Sequence, residues 1–216
     1  MDTSSTDQHL SGRWKRLVIA APLIVVIATI ELMVLGSCSD QCSDATYPDP
    51  SSSPYVLPYP VGRTYTLFQS CCNLQGHRGR FAYDFEMLMG DTVTTARPGV
   101  VIGVERKYDD FDHTPGHNNR VLICHEDSTI AFYAHFRQES VLVSIGDTVG
   151  YGEPLGLCGM SGRSGGVPHV HLEVFRRVAY QFNDAVPLSF RNLRGEAAPN
   201  GRLIRGRRYT ALPYEW

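Results

Sequence analysis

Between positions 93 and 175 the chain is a series of short apolar runs cut by glycine and acidic turns, a pattern that restricts it to a β fold. Residues 93–104 alternate around Pro98-Gly99. Residues 121–124 and 129–136 flank Glu126-Asp127-Ser128 as the arms of a hairpin. Further strands are expected at 141–145, 148–149, 155–157 and 170–175. No segment carries an apolar stripe over three helical turns, so helix content should be low. Strands at this spacing predict a mainly β domain, an antiparallel sandwich or barrel.

The rest of the chain frames that domain. Arg13, Lys15 and Arg16 precede an apolar run over 17–35, broken by Pro22, Thr29 and Glu31. Roughly 19 residues at about 1.5 Å each just span a hydrocarbon core. Positive charge ahead of the run predicts export of the remainder of the chain. Leu35-Gly36-Ser37-Cys38 resembles the lipobox of bacterial lipoproteins, which implies cleavage before Cys38 and its lipidation; an uncleaved signal anchor is the alternative. Residues 1–38 are thus expected to be a signal or anchor helix, placing the protein in the cell envelope and on its membrane. Residues 39–60, rich in Ser, Pro, Asp and Tyr, read as a tether. The folded domain is expected over 61–190, followed by an Arg-rich extension over 191–216 packed on it. Its arginines (191, 194, 202, 205, 207 and 208) form either a solvated face or a contact for anionic polymers.

Composition removes several functions. Lys plus Arg (20) nearly balance Asp plus Glu (22), so a nucleic-acid footprint is not expected. Lys15 and Lys107 are the only lysines, which leaves little scope for Schiff-base chemistry or a lysine-borne prosthetic group. None of the six cysteines stands in a Cys-x2-Cys pair, so a thiolate zinc site has no support. Disulfides are permitted in an exported chain. Cys124 and Cys158 suit either a mutual link or two buried thiols.

The histidines carry the chemistry. Pro168-His169-Val170-His171-Leu172-Glu173-Val174 alternates strictly, so His169 and His171 share one strand face about 7 Å apart. Two imidazoles so placed form a platform for zinc, or a ligand beside an acid/base; the plain alternative is a polar strand face. The preceding loop, 161–167, is glycine-rich and lets backbone approach a ligand. His135 ends an apolar run. Asp84 lies inside another and needs a partner, since an unpaired buried carboxylate is costly. A metal would serve, as would Arg78 or Arg80. His113 and His117 sit in a polar loop, and His125 begins a turn, where it reads as structural.

Taken in order, these pieces resemble the lysostaphin/LytM-type zinc endopeptidases that cut peptidoglycan. They are His77…Asp84 with Ala82-Tyr83-Asp84-Phe85, then Tyr133-Ala134-His135, the glycine loop and His169-Val170-His171. The likeness extends over 65–178 and includes Gly90-Asp91-Thr92-Val93 and Ser144-Ile145-Gly146-Asp147-Thr148-Val149. The resemblance implies a LytM-type fold in which His77, Asp84 and His171 bind Zn²⁺. It implies that His135 and His169 are the catalytic histidines, beside the metal but not on it. It also implies peptidoglycan stem or cross-bridge peptides as substrate. One departure stands out: the family spacing is His-x3-Asp, and here it is His-x6-Asp, which predicts a longer loop. A silent relative that binds the wall or activates another hydrolase is the alternative function. A lipoyl-type carrier fails, because Lys107 lacks the setting such a lysine needs. Asp109, Asp110 and Asp112 in the loop 107–119 are expected to disfavour acidic peptide groups, and Arg163 to hold a carboxylate. Together these favour a D-Ala-diaminopimelate bond over a glycine bridge.

Overall fold

Apolar side chains two residues apart must share a face, and each such face must find a partner to leave water. The computed structural model, which describes residues 45–71, 77, 80–176 and 184–214, shows how this is done. The strands are β1 (Thr64–Gln69), β2 (Ala82–Glu86), β3 (Thr92–Thr94), β4 (Gly99–Glu105), β5 (Arg120–Cys124) and β6 (Ile130–Ala134). They continue with β7 (Thr148–Val149), β8 (Pro154–Leu157), β9 (His169–Phe175), β10 (Leu193–Arg194) and β11 (Arg208–Ala211). Nine of them form one sheet in the order β10-β11-β1-β2-β9-β6-β5-β4-β7, and β3 with β8 forms a second. Every pairing is antiparallel. Among the described residues the only helical segment is a 3-10 turn, Pro50–Ser52, capped by Asp49. The mainly β, helix-poor expectation holds. The expected signal or anchor helix lies outside the described residues.

One face of the central strands makes the core. Tyr83 and Phe85 of β2, Val170, Leu172 and Val174 of β9, and Ala131 and Tyr133 of β6 join Val93 and Leu155 of the small sheet in a single cluster. Full burial of each large side chain contributes about 1.5–3 kcal/mol. Three buried phenols are satisfied: Tyr83 donates to the Leu188 carbonyl (3.0 Å), Tyr59 donates to that of Tyr209 (2.9 Å), and Tyr133 accepts from the Ala96 amide (2.9 Å). By the period of two, Asp84, His169, His171 and Glu173 occupy the opposite face of the same strands.

Two expectations change. Residues 47–59, read as tether, are packed: Tyr47, Tyr55, Val56, Leu57 and Tyr59 are all buried. Prolines rule out regular structure there but leave an extended chain, and Tyr-Val-Leu-Pro-Tyr carries enough apolar area to dock. Residues 141–145 form no strand. Val141 and Val143 are buried while Leu142 and Ile145 are exposed, so the alternation exists without a ladder beyond the Leu142 amide bond to Leu155. Of the two alternatives for Cys124 and Cys158, the free thiols hold, and Cys71 is disulfide-bonded. The C-terminal extension supplies β10 and β11, which add to β1 at the sheet edge. There Arg191 and Arg205 donate to the carbonyls of Ser53 and Phe68, and Arg207 pairs with Glu196.

His125 is structural, as read from the sequence. It is 3% exposed, donates from Nδ1 to the Pro98 carbonyl (2.8 Å), and packs edge-on against Tyr55. Burial, reinforced by the Arg97 charge and only partly offset by Pro98 and Asp127, pushes its pKa down to about 4. The unfolded chain, titrating near 6.5, binds the proton more readily, so this histidine's contribution is full above pH 6.5 and falls as pH drops toward 4. Urea unfolding should lose about 2 kcal/mol more between pH 6.5 and 4.5 in the wild type than in His125→Gln. Equal pH dependence in the two proteins would contradict this.

Candidate metal and catalytic site

Register places the site. In the β2–β9 pair Asp84 lies directly opposite His171, and Glu86 lies opposite His169. In the β6–β9 pair Ala134 faces His171, so His135 is one residue beyond, at the open end of β6. Three adjacent strands thereby bring an aspartate and three histidines to one patch of the sheet. His77 completes it from the loop between β1 and β2. All five side chains are buried.

The longer His-x6-Asp spacing still delivers His77 to Asp84. The His77 carbonyl accepts the Arg80 amide (3.1 Å), and Phe81 packs edge-on against Tyr47, which anchors the far end of the loop. His77 Nε2 is 3.1 Å from Asp84 Oδ2, and His171 Nδ1 is 2.8 Å from Asp84 Oδ1. One donor atom from each of His77, Asp84 and His171 lies within 4.8 Å of the others. Burial opposes the charge on Asp84, but the surrounding imidazoles of His169, His77 and His171 hold its carboxyl well below the usual range. Burial likewise opposes a charged His171, yet Asp84 and Glu173 prevail and raise its pKa to about 9. A carboxylate ringed by protonatable nitrogens is a place where a bound cation can stand in for protons. The set fits a metal: two imidazoles and a carboxylate suit zinc, whereas calcium and magnesium demand oxygen ligands.

The other two histidines are held differently. His135 Nδ1 donates to the Ser161 carbonyl and His169 Nδ1 to the Val167 carbonyl, each at 2.7 Å. A carbonyl only accepts, so Nδ1 carries the proton in both rings, and Nε2 presents its lone pair. The rings lie 4.5 Å apart between centroids. His169 Nε2 is 3.6 Å from Asp84 Oδ2. Burial, with repulsion from His169 and His171, pushes the pKa of His135 down to about 3. Burial also lowers that of His169, against the pull of Asp84. Both rings are therefore neutral bases near pH 7. His135 adopts φ 69°, a left-handed conformation that costs a non-glycine residue on the order of 1–3 kcal/mol. Its carbonyl accepts the Gly159 amide (2.8 Å), and the next residue, Phe136, bridges to Cys158. Gly159 permits the approach, since a Cβ there would lie 2.5 Å from the Arg137 nitrogen.

Some expected participants lie elsewhere. Arg80 does not pair with Asp84; it is committed to Glu173, which sequence reasoning overlooked. The signal was the same alternation, because Glu173 shares the strand face of His169 and His171. His117 pairs with Asp112 (2.7 Å) and stacks on Tyr108. Asp110 is turned inward, accepting from the amides of Met160 (3.2 Å) and Gln138 (3.4 Å), and is buried rather than presented on the loop surface. Arg163 is exposed in the glycine loop.

An uncharacterized metalloprotease of Buchnera aphidicola subsp. Baizongia pistaciae (strain Bp) is 31% identical over 134 residues, 58% of this chain and 32% of that protein. The chain thus spans about a third of that relative's length. Among solved structures, the catalytic domain of the antimicrobial peptidase lysostaphin from Staphylococcus simulans shares 22% identity, with 60% of this chain and 88% of that one covered, at a TM-score of 0.43. Pseudoalterin, an M23 metalloprotease from the deep sea, shares 19% identity over 74% of this chain and 96% of that one, at 0.44. A zinc-containing peptidase from Vibrio cholerae shares 24% over 62% and 39%, at 0.41. Residues 77–184, which are 108 of the 216, match peptidase family M23. The chain belongs to peptidase family M23.

Proposed function

We propose that this protein is a zinc-dependent endopeptidase that hydrolyses peptide bonds in the stem or cross-bridge peptides of peptidoglycan. The observation that carries the reading is the division of labour among five buried side chains. His77, Asp84 and His171 converge their donor atoms, while His135 and His169, fixed at Nδ1, lie beside them: His169 Nε2 is 3.6 Å from Asp84 Oδ2, and the His135 ring is 4.5 Å from that of His169. His77, Asp84 and His171 would hold Zn²⁺, which when bound supplies Lewis acidity and lowers the pKa of a water toward about 7. The chain's own residues do the proton work. Nε2 of His169 or His135 takes the proton of the attacking water and returns it to the leaving amine. Both rings are neutral at the start, as a general base must be, and neither needs to reorient to act.

Export supports the same reading. The apolar run over 17–35 and Cys38 are consistent with attachment to the envelope membrane, through lipid or through the segment itself; they lie outside the described residues. The disulfide at Cys71 suits an oxidising compartment.

Digestion of purified sacculi tests the function, with released fragments identified by mass spectrometry. Peptides cleaved within stems or cross-links are expected, and they should disappear when a chelator is added. Sacculi that retain bound, zinc-loaded protein but release nothing would move the protein to the binding or activator class.

A further inference from the structure

Glu173 is the third side chain on the strand face of His169 and His171, and it is fully buried. A buried carboxylate needs partners, and it has two. Arg80 Nε donates to Oε1 (2.9 Å) while its terminal nitrogen donates to Oε2, a bidentate fork. Oε2 in turn lies 3.4 Å from His171 Nε2. Across the strands Glu173 faces Ala82 on one side and Phe132 on the other. Neither of those side chains offers a polar group.

A carboxylate held by arginine can only accept. The ring nitrogen facing it, Nε2 of His171, therefore carries a proton, and Nδ1, which donates to Asp84 at 2.8 Å, is the atom that would give up its proton to a metal. The same arginine closes the long spacer, because its amide binds the His77 carbonyl. One residue thus ties together the loop that carries His77 and the carboxylate behind His171.

We propose that Glu173, clamped by Arg80, is a positioning residue that holds the His171 proton on Nε2, fixes the ring's orientation and so sets the affinity of the site for metal. The proposal rests on His77, Asp84 and His171 being the ligands. Neither Glu173 nor Arg80 touches substrate. Loss of the pair weakens metal binding and leaves the proton-transfer histidines in place.

The test is a Zn²⁺ titration of the full chain against a chromophoric chelator, with thermal melts of the metal-free protein run alongside. Glu173→Leu is expected to weaken Zn²⁺ binding roughly 10–100-fold. Glu173→Gln, which keeps an acceptor oxygen, should recover affinity to within a few-fold of wild type. A purely structural role would instead lower the metal-free melting temperature and leave zinc affinity of the folded protein alone. In the Zn²⁺-loaded wild type, ring ¹⁵N spectra should place the His171 proton on Nε2. If Glu173→Leu does not fold, Arg80→Met leaves the carboxylate present but unclamped and should weaken binding by about tenfold. Wild-type affinity in the folded variants, or a proton on Nδ1, overturns the proposal. A wild-type chain that takes up no Zn²⁺ overturns the ligand assignment beneath it, a failure distinguishable from a tight-binding variant.

Discussion

Replacement of His171 by alanine should yield a protein that holds no zinc and hydrolyses nothing. Asp84 and His77 alone offer two donors, and the imidazole directly opposite Asp84 in the β2–β9 register is gone. The loss of affinity should go well beyond the roughly 10–100-fold that changes behind a ligand bring about. The metal-free fold should suffer as well, since Asp84 and Glu173 both lose their contact with the same ring. Removing one partner from a buried charged network costs about 3–5 kcal/mol. Metal analysis and urea unfolding of the purified variant measure the two effects separately. Equal zinc in variant and wild type would remove His171 from the ligand set.

His135→Ala and His169→Ala should behave in the opposite way. Each is expected to keep zinc within about a factor of ten while losing roughly 10² or more in rate, because these rings hold protons rather than metal. His135→Ala should also lose about 1–3 kcal/mol of stability, because the buried Ser161 carbonyl loses its donor and alanine, which keeps a Cβ, does not relieve the left-handed backbone. Metal content and hydrolysis of a stem-peptide substrate, measured on the same preparation, decide the matter. A variant that arrives without metal would show that its ring is a ligand, and the assigned roles would have to be exchanged.

Much of this site was legible before any fold was known, because a strand of period two displays its own faces. His169 and His171 had to share a side, Asp84 had to seek a partner, and His135 stood at the end of an apolar run. Which aspartate meets which histidine came only from the family resemblance and was not legible in the strand pattern itself. The opposition of Asp84 and His171 is a matter of register across 87 positions of sequence, fixed by the packing of Tyr83, Phe85, Leu172 and Val174 on the other face. Glu173 was overlooked for a simpler reason. An acidic residue in an apolar strand announces a partner but not its identity, and Arg80 lies in a segment that local pattern cannot place. The same limit explains 47–59 and 141–145. Composition weighed prolines above the aromatics that dock, and alternation was taken for a strand where the neighbouring ladder is missing.

The two carbonyls that fix the rings of His135 and His169 belong to Ser161 and Val167, the first and last residues of a single glycine-rich loop. Such loops are the natural place to alter which peptide a hydrolase accepts, and a designer would be inclined to exchange this one whole. On the proposed function its ends set the direction of two bases, so a transplanted loop should change catalytic power along with substrate choice. Only the span between, 162–166, is open to variation. Within it Gly162, Gly165 and Gly166 all take positive φ, and Gly162 lies so close to Asn118 that a side chain would crowd that residue's backbone. Substrate range in this protein should therefore drift through Arg163 and through the facing loop at 107–119, while the ends of the glycine loop stay fixed.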